Sequence, residues 1–346
     1  MRKRRNSSEA SVASRGVSTA SSTADIAYST VRGRYYSAAA HVGATSHVDE
    51  PPPAQYVFSP MSPSADRVIE TFRTATEENQ MCPLRRFQTV VLPETGELWI
   101  TGDIHDHRRN FERFIRAADL ASHPDRHIIL QELIHGDYFD ADGAESSWIT
   151  LYSAAELKCD YPNQVHFLLS NHDLAQIHGE GIMKAGLSVC EAFNKSIKKH
   201  FGRDAVKVDI AIKEFFLSLP LAARTHNGLF CCHSLPANGQ IQAFDYTVFD
   251  RELTGKDYAR RTGPAYQLIW GRDIGPEAAA RFADAVKADI VITGHQPQDD
   301  GFAVNGPRHL IIGSEHNQGV FLSVDLAGRY DMPRLVQCIR RFSALP

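Results

Sequence analysis

The chain has no apolar run close to the roughly 18 residues that a membrane-spanning helix needs, so nothing in it predicts a span. It is poor in cysteine, with six at positions 82, 159, 190, 231, 232 and 338 and no CxxC pair. Disulfide frameworks belong to small secreted domains, so reduced thiols and a cytoplasmic location are expected. A strong charge of either sign is also missing. With 37 basic and 41 acidic residues the net charge is −4, which leaves no footprint for nucleic acid. No internal repeat is visible.

Residues 1–65 have few large aliphatic side chains. Arg2-Lys3-Arg4-Arg5 open this segment, Ser, Ala, Thr and Gly dominate it, and Pro51-Pro52-Pro53 comes near its end. So little apolar surface cannot offset the entropy of ordering a backbone, and a disordered N-terminal tail is predicted. Its Arg, Ser and Ala content also suits an organelle-targeting peptide, whereas the apolar core of a secretory signal is absent.

What is present begins at residue 66. Helical spacing is found over 67–80, 111–120 and 181–200, and a further segment over 212–219 stops before Pro220. Strands are predicted at 88–92, 98–101, 127–130, 165–169, 229–232, 290–293, 309–312 and 320–324, the first two joined by the turn Pro93-Glu94-Thr95-Gly96. Alternating strands and helices predict an α/β fold. The last two strands follow each other without a helix, so its sheet is mixed. A catalytic domain is expected over 66–330, followed by a basic C-terminal tail over 331–346 with Arg334, Arg340 and Arg341.

Five segments end β-rich runs with metal-type ligands: Gly102-Asp103-Ile104-His105, Gly136-Asp137-Tyr138-Phe139-Asp140, Asn171-His172-Asp173, Cys232-His233 and Gly294-His295. In open α/β sheets the carboxyl ends of the strands share one edge, where residues distant in sequence meet. The glycines before Asp103, Asp137 and His295 allow a tight turn. Asp103 and His105 alternate by two and project to one side. Asp137 offers a carboxylate to bridge two ions, Asn171 a carbonyl oxygen, and His233 and His295 imidazoles. Oxygen and nitrogen donors without thiolate favour Mn, Fe or Zn in a catalytic site. Two such ions would share a hydroxide that attacks phosphorus. His172, held by Asp140, would donate a proton to the leaving alkoxide. Asp140-Ala141-Asp142-Gly143 fails as a calcium loop, because Tyr138 and Ile149 would stand where calcium needs carboxylates.

This pattern resembles the calcineurin-like metallophosphoesterases, in particular the serine/threonine protein phosphatases (phosphoprotein phosphatases), with their GDxHG, GDxVDRG, GNHE, HGG and AHQ segments. Here the stretches read GDIHD, GDYFDAD, SNHD, CCHSL and GHQ, and the likeness extends over residues 97–325. It implies a mixed-sheet β-sandwich flanked by helices in four layers (α/β/β/α), two divalent metal ions and hydrolysis of a phosphorylated substrate, with any regulatory subunit left open. Three departures stand out. Ala141 occupies the family's phosphate-binding arginine position, Asp106 replaces a glycine, and HGG becomes His233-Ser234-Leu235. The family's second phosphate arginine follows a tryptophan, so Arg272, after Trp270-Gly271, is the first candidate clamp, with Arg108 and Arg109 as alternatives. Beside a phosphatase acting on phosphoserine or phosphothreonine, two further readings stay open: hydrolysis of nucleotides or other small phosphoesters, and a weak homologue that serves as a binding module.

Overall fold

The computed structural model describes residues 63–184 and 186–345, so the tail expected over 1–65 lies almost wholly outside the described residues. In chain order the elements are α1 (Ala65–Met81), β1 (Arg85–Arg86), β2 (Thr89–Val91), β3 (Glu97–Asp103), α2 (Arg108–Ala118), β4 (Arg126–Gln131), α3 (Trp148–Asp160), β5 (Val165–Leu168) and α4 (Asn171–His178). Next come β6 (Met183–Lys184), β7 (Leu187–Ser188), α5 (Val189–Phe201), α6 (Ala205–Leu217), β8 (Ala222–Arg224), β9 (Leu229–Cys232), α7 (Pro264–Trp270) and α8 (Pro276–Ala285). The chain ends with β10 (Ile290–Thr293), β11 (Phe302–Val304), β12 (His309–Ile312), β13 (Val320–Asp325), α9 (Met332–Val336) and β14 (Ile339–Arg341).

Two mixed sheets form the centre, one in the order β1-β2-β8-β9-β10-β12-β11 and the other β14-β13-β3-β4-β5. Strand alternation divides the apolar residues between two cores. Ile129 of β4, Leu229 and Cys231 of β9, and Ile290 and Ile292 of β10 pack between the sheets. Their neighbours Ile128, Leu130, Phe230, Cys232 and Val291 face the helices. This is the helix-flanked β-sandwich expected from the sequence. The strands on either side of the Pro93–Gly96 turn belong to different sheets, because β2 pairs with β8 whereas β3 pairs with β4 and β13.

Two expectations are corrected. The helix predicted over 181–200 begins only at Val189, after a small hairpin in which Met183 stands opposite Ser188 and Lys184 opposite Leu187. Gly186, with φ of 79°, takes the left-handed backbone this turn requires. The C-terminal residues do not form a tail. β14 adds antiparallel to β13, and Phe342 is buried 5.3 Å from the Phe321 ring and 6.0 Å from that of Phe114. The arginines dominate the composition there, but Arg334 is on α9 and Arg340 and Arg341 lie along an exposed edge strand while Phe342 turns inward.

Candidate metal centre

β3, β4 and β5 run parallel in one sheet, and β9, β10 and β12 in the other, so each set delivers its carboxyl ends to a common edge. Asp103 ends β3, Glu132 follows β4, His233 follows β9 and His295 lies two residues beyond β10. A β-bridge joins Asp103 to Gly313 after β12, and the Gly102 N–H donates to Ser314 Oγ at 2.9 Å, which ties the two edges together. None of the three motif glycines has a positive φ. Close approach explains them instead, most tightly at two. A Cβ on Gly294 would lie 2.3 Å from Asp103 Oδ1, and one on Gly102 would lie 2.1 Å from the Ile312 carbonyl oxygen.

The side chains meet in a buried cluster. His105, Glu132 and His172 form one group of ligand atoms within 4.8 Å of one another, and Glu132, His233 and His295 form a second. Glu132 is common to both. Asp103 Oδ1 accepts from the His295 N–H at 2.9 Å and lies 3.6 Å from His233 Nδ1, while Asn171 Oδ1 is 2.8 Å from His233 Nε2. A capping box between Ser170 and Asp173 starts α4 and so places Asn171 and His172 in its first turn.

The hydrogen bonds fix which nitrogens are bare. His105 Nδ1 donates to the Ile134 carbonyl at 2.8 Å, leaving Nε2 to face Glu132 Oε2 at 3.4 Å. Gln131 donates through Nε2 to the Thr101 carbonyl at 2.8 Å, which turns its Oε1 to accept from His233 Nδ1 at 2.9 Å. His233 Nε2 and Asn171 Oδ1 then oppose each other as two acceptors with no proton between them. His295 Nε2 is buried without a partner. Lone pairs aimed at one another, or at nothing, suit a cation between them, so the donor set fits divalent metal.

Burial pushes the ionisations the same way. It holds His105, His172 and His233 well below the usual histidine range and brings His295 down to about 3, keeping the imidazoles neutral for coordination. Burial also raises both Asp103 and Glu132, and the neighbouring Asp103 charge drives Glu132 further up. A dication would reverse that penalty. Backbone strain concentrates here too. Of the ten non-glycine residues with positive φ among the described residues, His105, Asp106, Glu132, His135 and His295 belong to this site.

Two predicted site residues are elsewhere. The Asp137 side chain is 83% exposed and lies 3.4 Å from Lys184 Nζ, not among the ligands. Asp140 accepts from the backbone N–H groups of Asp142 and Ala144, both at 2.9 Å, and from Lys199 Nζ at 3.0 Å. It closes its own loop instead of orienting His172. The neighbour of His172 is His135, whose Nδ1 is 2.9 Å from His172 Nδ1. Gln176 donates to Asn194 Oδ1 at 2.7 Å and so presents its Oε1 to His135 Nε2 at 3.2 Å. His135 Nε2 must therefore carry the proton, its Nδ1 accepts from His172 Nδ1, and His172 Nε2 is left bare. Neither Glu132 nor His135 was anticipated. The available signal is position: Glu132 directly follows the strand Arg126–Gln131, and His135 lies four residues beyond its end.

Arg272 is exposed, makes no ion pair among the described residues, and its charge lowers the pKa values of His295, His233 and Asp103. Arg108 is engaged, reaching Asp106 at 3.0 and 3.1 Å and Ser146 Oγ at 2.9 Å. Arg109 is exposed, and its charge acts on His107.

The calcineurin-like phosphoesterase family model matches residues 97–299. The chain belongs to the calcineurin-like phosphoesterase family. It is a hydrolase of that metal-dependent class. Among solved structures, a protein serine/threonine phosphatase from Saccharomyces cerevisiae with similarity to human phosphatase PP5 is 15% identical. It gives a TM-score of 0.59 over 82% of this chain and 91% of that one, a likeness of fold. A cold-active protein-tyrosine phosphatase of a psychrophile, Shewanella sp., is 11% identical with a TM-score of 0.47 over 72% of this chain and 80% of that one.

Against the phosphoesterase pattern GDxVDRG, the structure moves the register by five residues. With Glu132 set against the first Asp, His135 falls opposite the second and Gly136 opposite the arginine. A Cβ on Gly136 would lie 2.8 Å from the Asp106 Cβ, and Asp106 is itself the residue that replaces a glycine in GDxHG. The Asp106 side chain therefore stands against the place where a side chain at Gly136 would begin.

Proposed function

We propose that this phosphoesterase is a phosphomonoesterase of the serine/threonine protein phosphatase type. In this reading Asp103, His105, Glu132, Asn171, His233 and His295 hold two divalent ions, and Arg272 contacts the phosphate. The observation that carries it is Glu132, a single buried carboxylate whose oxygens lie within ligand distance of His105 and His172 and of His233 and His295. When bound, the ions supply Lewis acidity at phosphorus and acidify the attacking water. The donor set without thiolate suits Mn, Fe or Zn. His172, its tautomer set by the His135–Gln176–Asn194 chain, is neutral with a bare Nε2, which would take up a proton from solvent and pass it to the leaving oxygen. The six free cysteines suit a reducing compartment such as the cytoplasm.

A second reading, hydrolysis of nucleotides or other small phosphoesters, is favoured by the absence of any guanidinium at Gly136 and the engagement of Arg108 with Asp106. Turnover of the metal-loaded protein on phosphopeptides, nucleotides and phosphodiesters separates the two. Preference for phosphoserine or phosphothreonine peptides supports the first reading. Preference for nucleotides or diesters replaces it with the second, and metal binding without turnover of any substrate leaves a binding module. Arg272→Ala should weaken inhibition by inorganic phosphate by about 1.5–3 kcal/mol without metal loss.

A further inference from the structure

The β6–β7 hairpin stands beside the metal centre and carries one cation, Lys184. Its side chain is only 24% exposed, and Nζ donates to the His135 carbonyl at 2.9 Å. His135 is in turn the residue that touches His172. The other partner of Lys184 is the Asp137 carboxylate at 3.4 Å, which is 83% exposed. An ammonium group has three protons to donate, and these contacts use two.

We propose that Lys184 binds the phosphate group of the substrate, supplying the cation that Gly136 cannot. This rests on the reading of the centre as a phosphomonoesterase site. Three features support it. A Cβ at Gly136 already collides with Asp106, so an arginine cannot be accommodated there. Lys184 lies against the cluster, its Nζ on the carbonyl of His135, whose Nδ1 is 2.9 Å from that of His172. The ion pair holding it is weak, because a solvated carboxylate contributes little and yields readily to a phosphate dianion. Arg272 comes from the segment after α7 and Lys184 from the hairpin before α5, so the phosphate would be approached by cations from two separate elements.

The test uses full-length, Mn-loaded protein and inorganic phosphate as the probe, read by calorimetric binding and by competitive inhibition of nitrophenyl phosphate hydrolysis. Lys184→Gln should weaken phosphate binding by roughly tenfold or more, with unchanged metal content and melting temperature, and Lys184→Arg should restore most of it. Equal phosphate binding by wild type and Lys184→Gln overturns the inference. Loss of metal in Lys184→Gln does so as well, since the residue would then hold the centre together and not the ligand. Lys184-dependent phosphate binding in a protein that hydrolyses no phosphomonoester keeps the inference and removes the proposed function. Hydrolysis that is indifferent to Lys184 removes the inference alone.

Discussion

Residues 131–135 and 136–140 are consecutive five-residue segments with the same layout. Each has a carboxylate at its second position, Glu132 or Asp137, and a polar partner for histidine chemistry three residues later, His135 or Asp140. Their environments differ entirely. Glu132 and His135 are buried, lie one and four residues beyond the end of β4 and have left-handed backbone angles. Backbone hydrogen bonds lock them to the neighbouring motif, with the Glu132 carbonyl accepting from Ile104 at 3.1 Å and His105 at 2.8 Å. Asp137 is exposed, and Asp140 ties a surface loop to Lys199. The sheet selects between them: the clustered side chains lie at, or within a few residues of, the end of a parallel strand, and five residues beyond Glu132 the chain is out in solvent.

The largest effect should separate the two carboxylates. Glu132→Ala should reduce bound metal from close to two ions to one or none, and turnover by roughly 100-fold or more. Asp137→Ala should retain both ions. Elemental analysis after Mn loading decides it. The metal-induced rise in melting temperature is a second readout, because only protein that binds the ion is stabilised by it. Retention of two ions by Glu132→Ala together with their loss from Asp137→Ala would reverse the comparison.

The same contrast explains which parts of the site were legible. Asp103, Asn171, His233 and His295 lie at, or within three residues of, the ends of strongly apolar β-runs, so pattern and position agreed. At the second motif they disagreed. Gly136-Asp137 matched the string, whereas Gln131-Glu132 matched only the place, and a one-dimensional pattern has no measure of distance from a strand end. Lys184 was hidden because its segment has helical spacing, and only the pairing of Met183 with Ser188 reveals a hairpin. The fold was easier to read. Alternating core residues repeat along every central strand, and no single residue decides the outcome.

A smaller effect should separate the two partners of His172. His172→Ala should lower turnover by roughly 100- to 10,000-fold with metal retained, and the loss should shrink for nitrophenol leaving groups that need little protonation. His135→Ala should cost roughly 10- to 100-fold and show the same leaving-group dependence, since it acts through the orientation of His172. Asp140→Ala should stay within about twofold of wild type, as expected for a solvated loop carboxylate. If Asp140→Ala acquires the leaving-group signature and His135→Ala does not, the hydrogen-bond chain through Gln176 has been given the wrong role. Loss of metal from His172→Ala would make that residue a ligand, in keeping with its place beside His105 and Glu132.

The smallest effects concern the missing arginine. Under the string match its position is Ala141, and Ala141→Arg should then create a phosphate contact. Ala141 is exposed on the loop that Asp140 closes, so the new guanidinium should meet solvent and leave phosphopeptide turnover and phosphate inhibition unchanged. Under the structural register the position is Gly136, where even a methyl group meets the Asp106 Cβ at 2.8 Å. Gly136→Ala should destabilise the protein by about 1–3 kcal/mol through overpacking, read as a lower melting temperature. The double variant Gly136→Ala with Asp106→Gly should recover part of that loss, because it restores the space the family keeps at this point. It also removes the carboxylate that holds Arg108, at 3.0 and 3.1 Å, so recovery should be incomplete. Additive losses in the double variant would show that the two positions do not share one space, and the five-residue shift in register would lose its steric basis. A gain of phosphopeptide activity in Ala141→Arg would return the phosphate site to the outer segment.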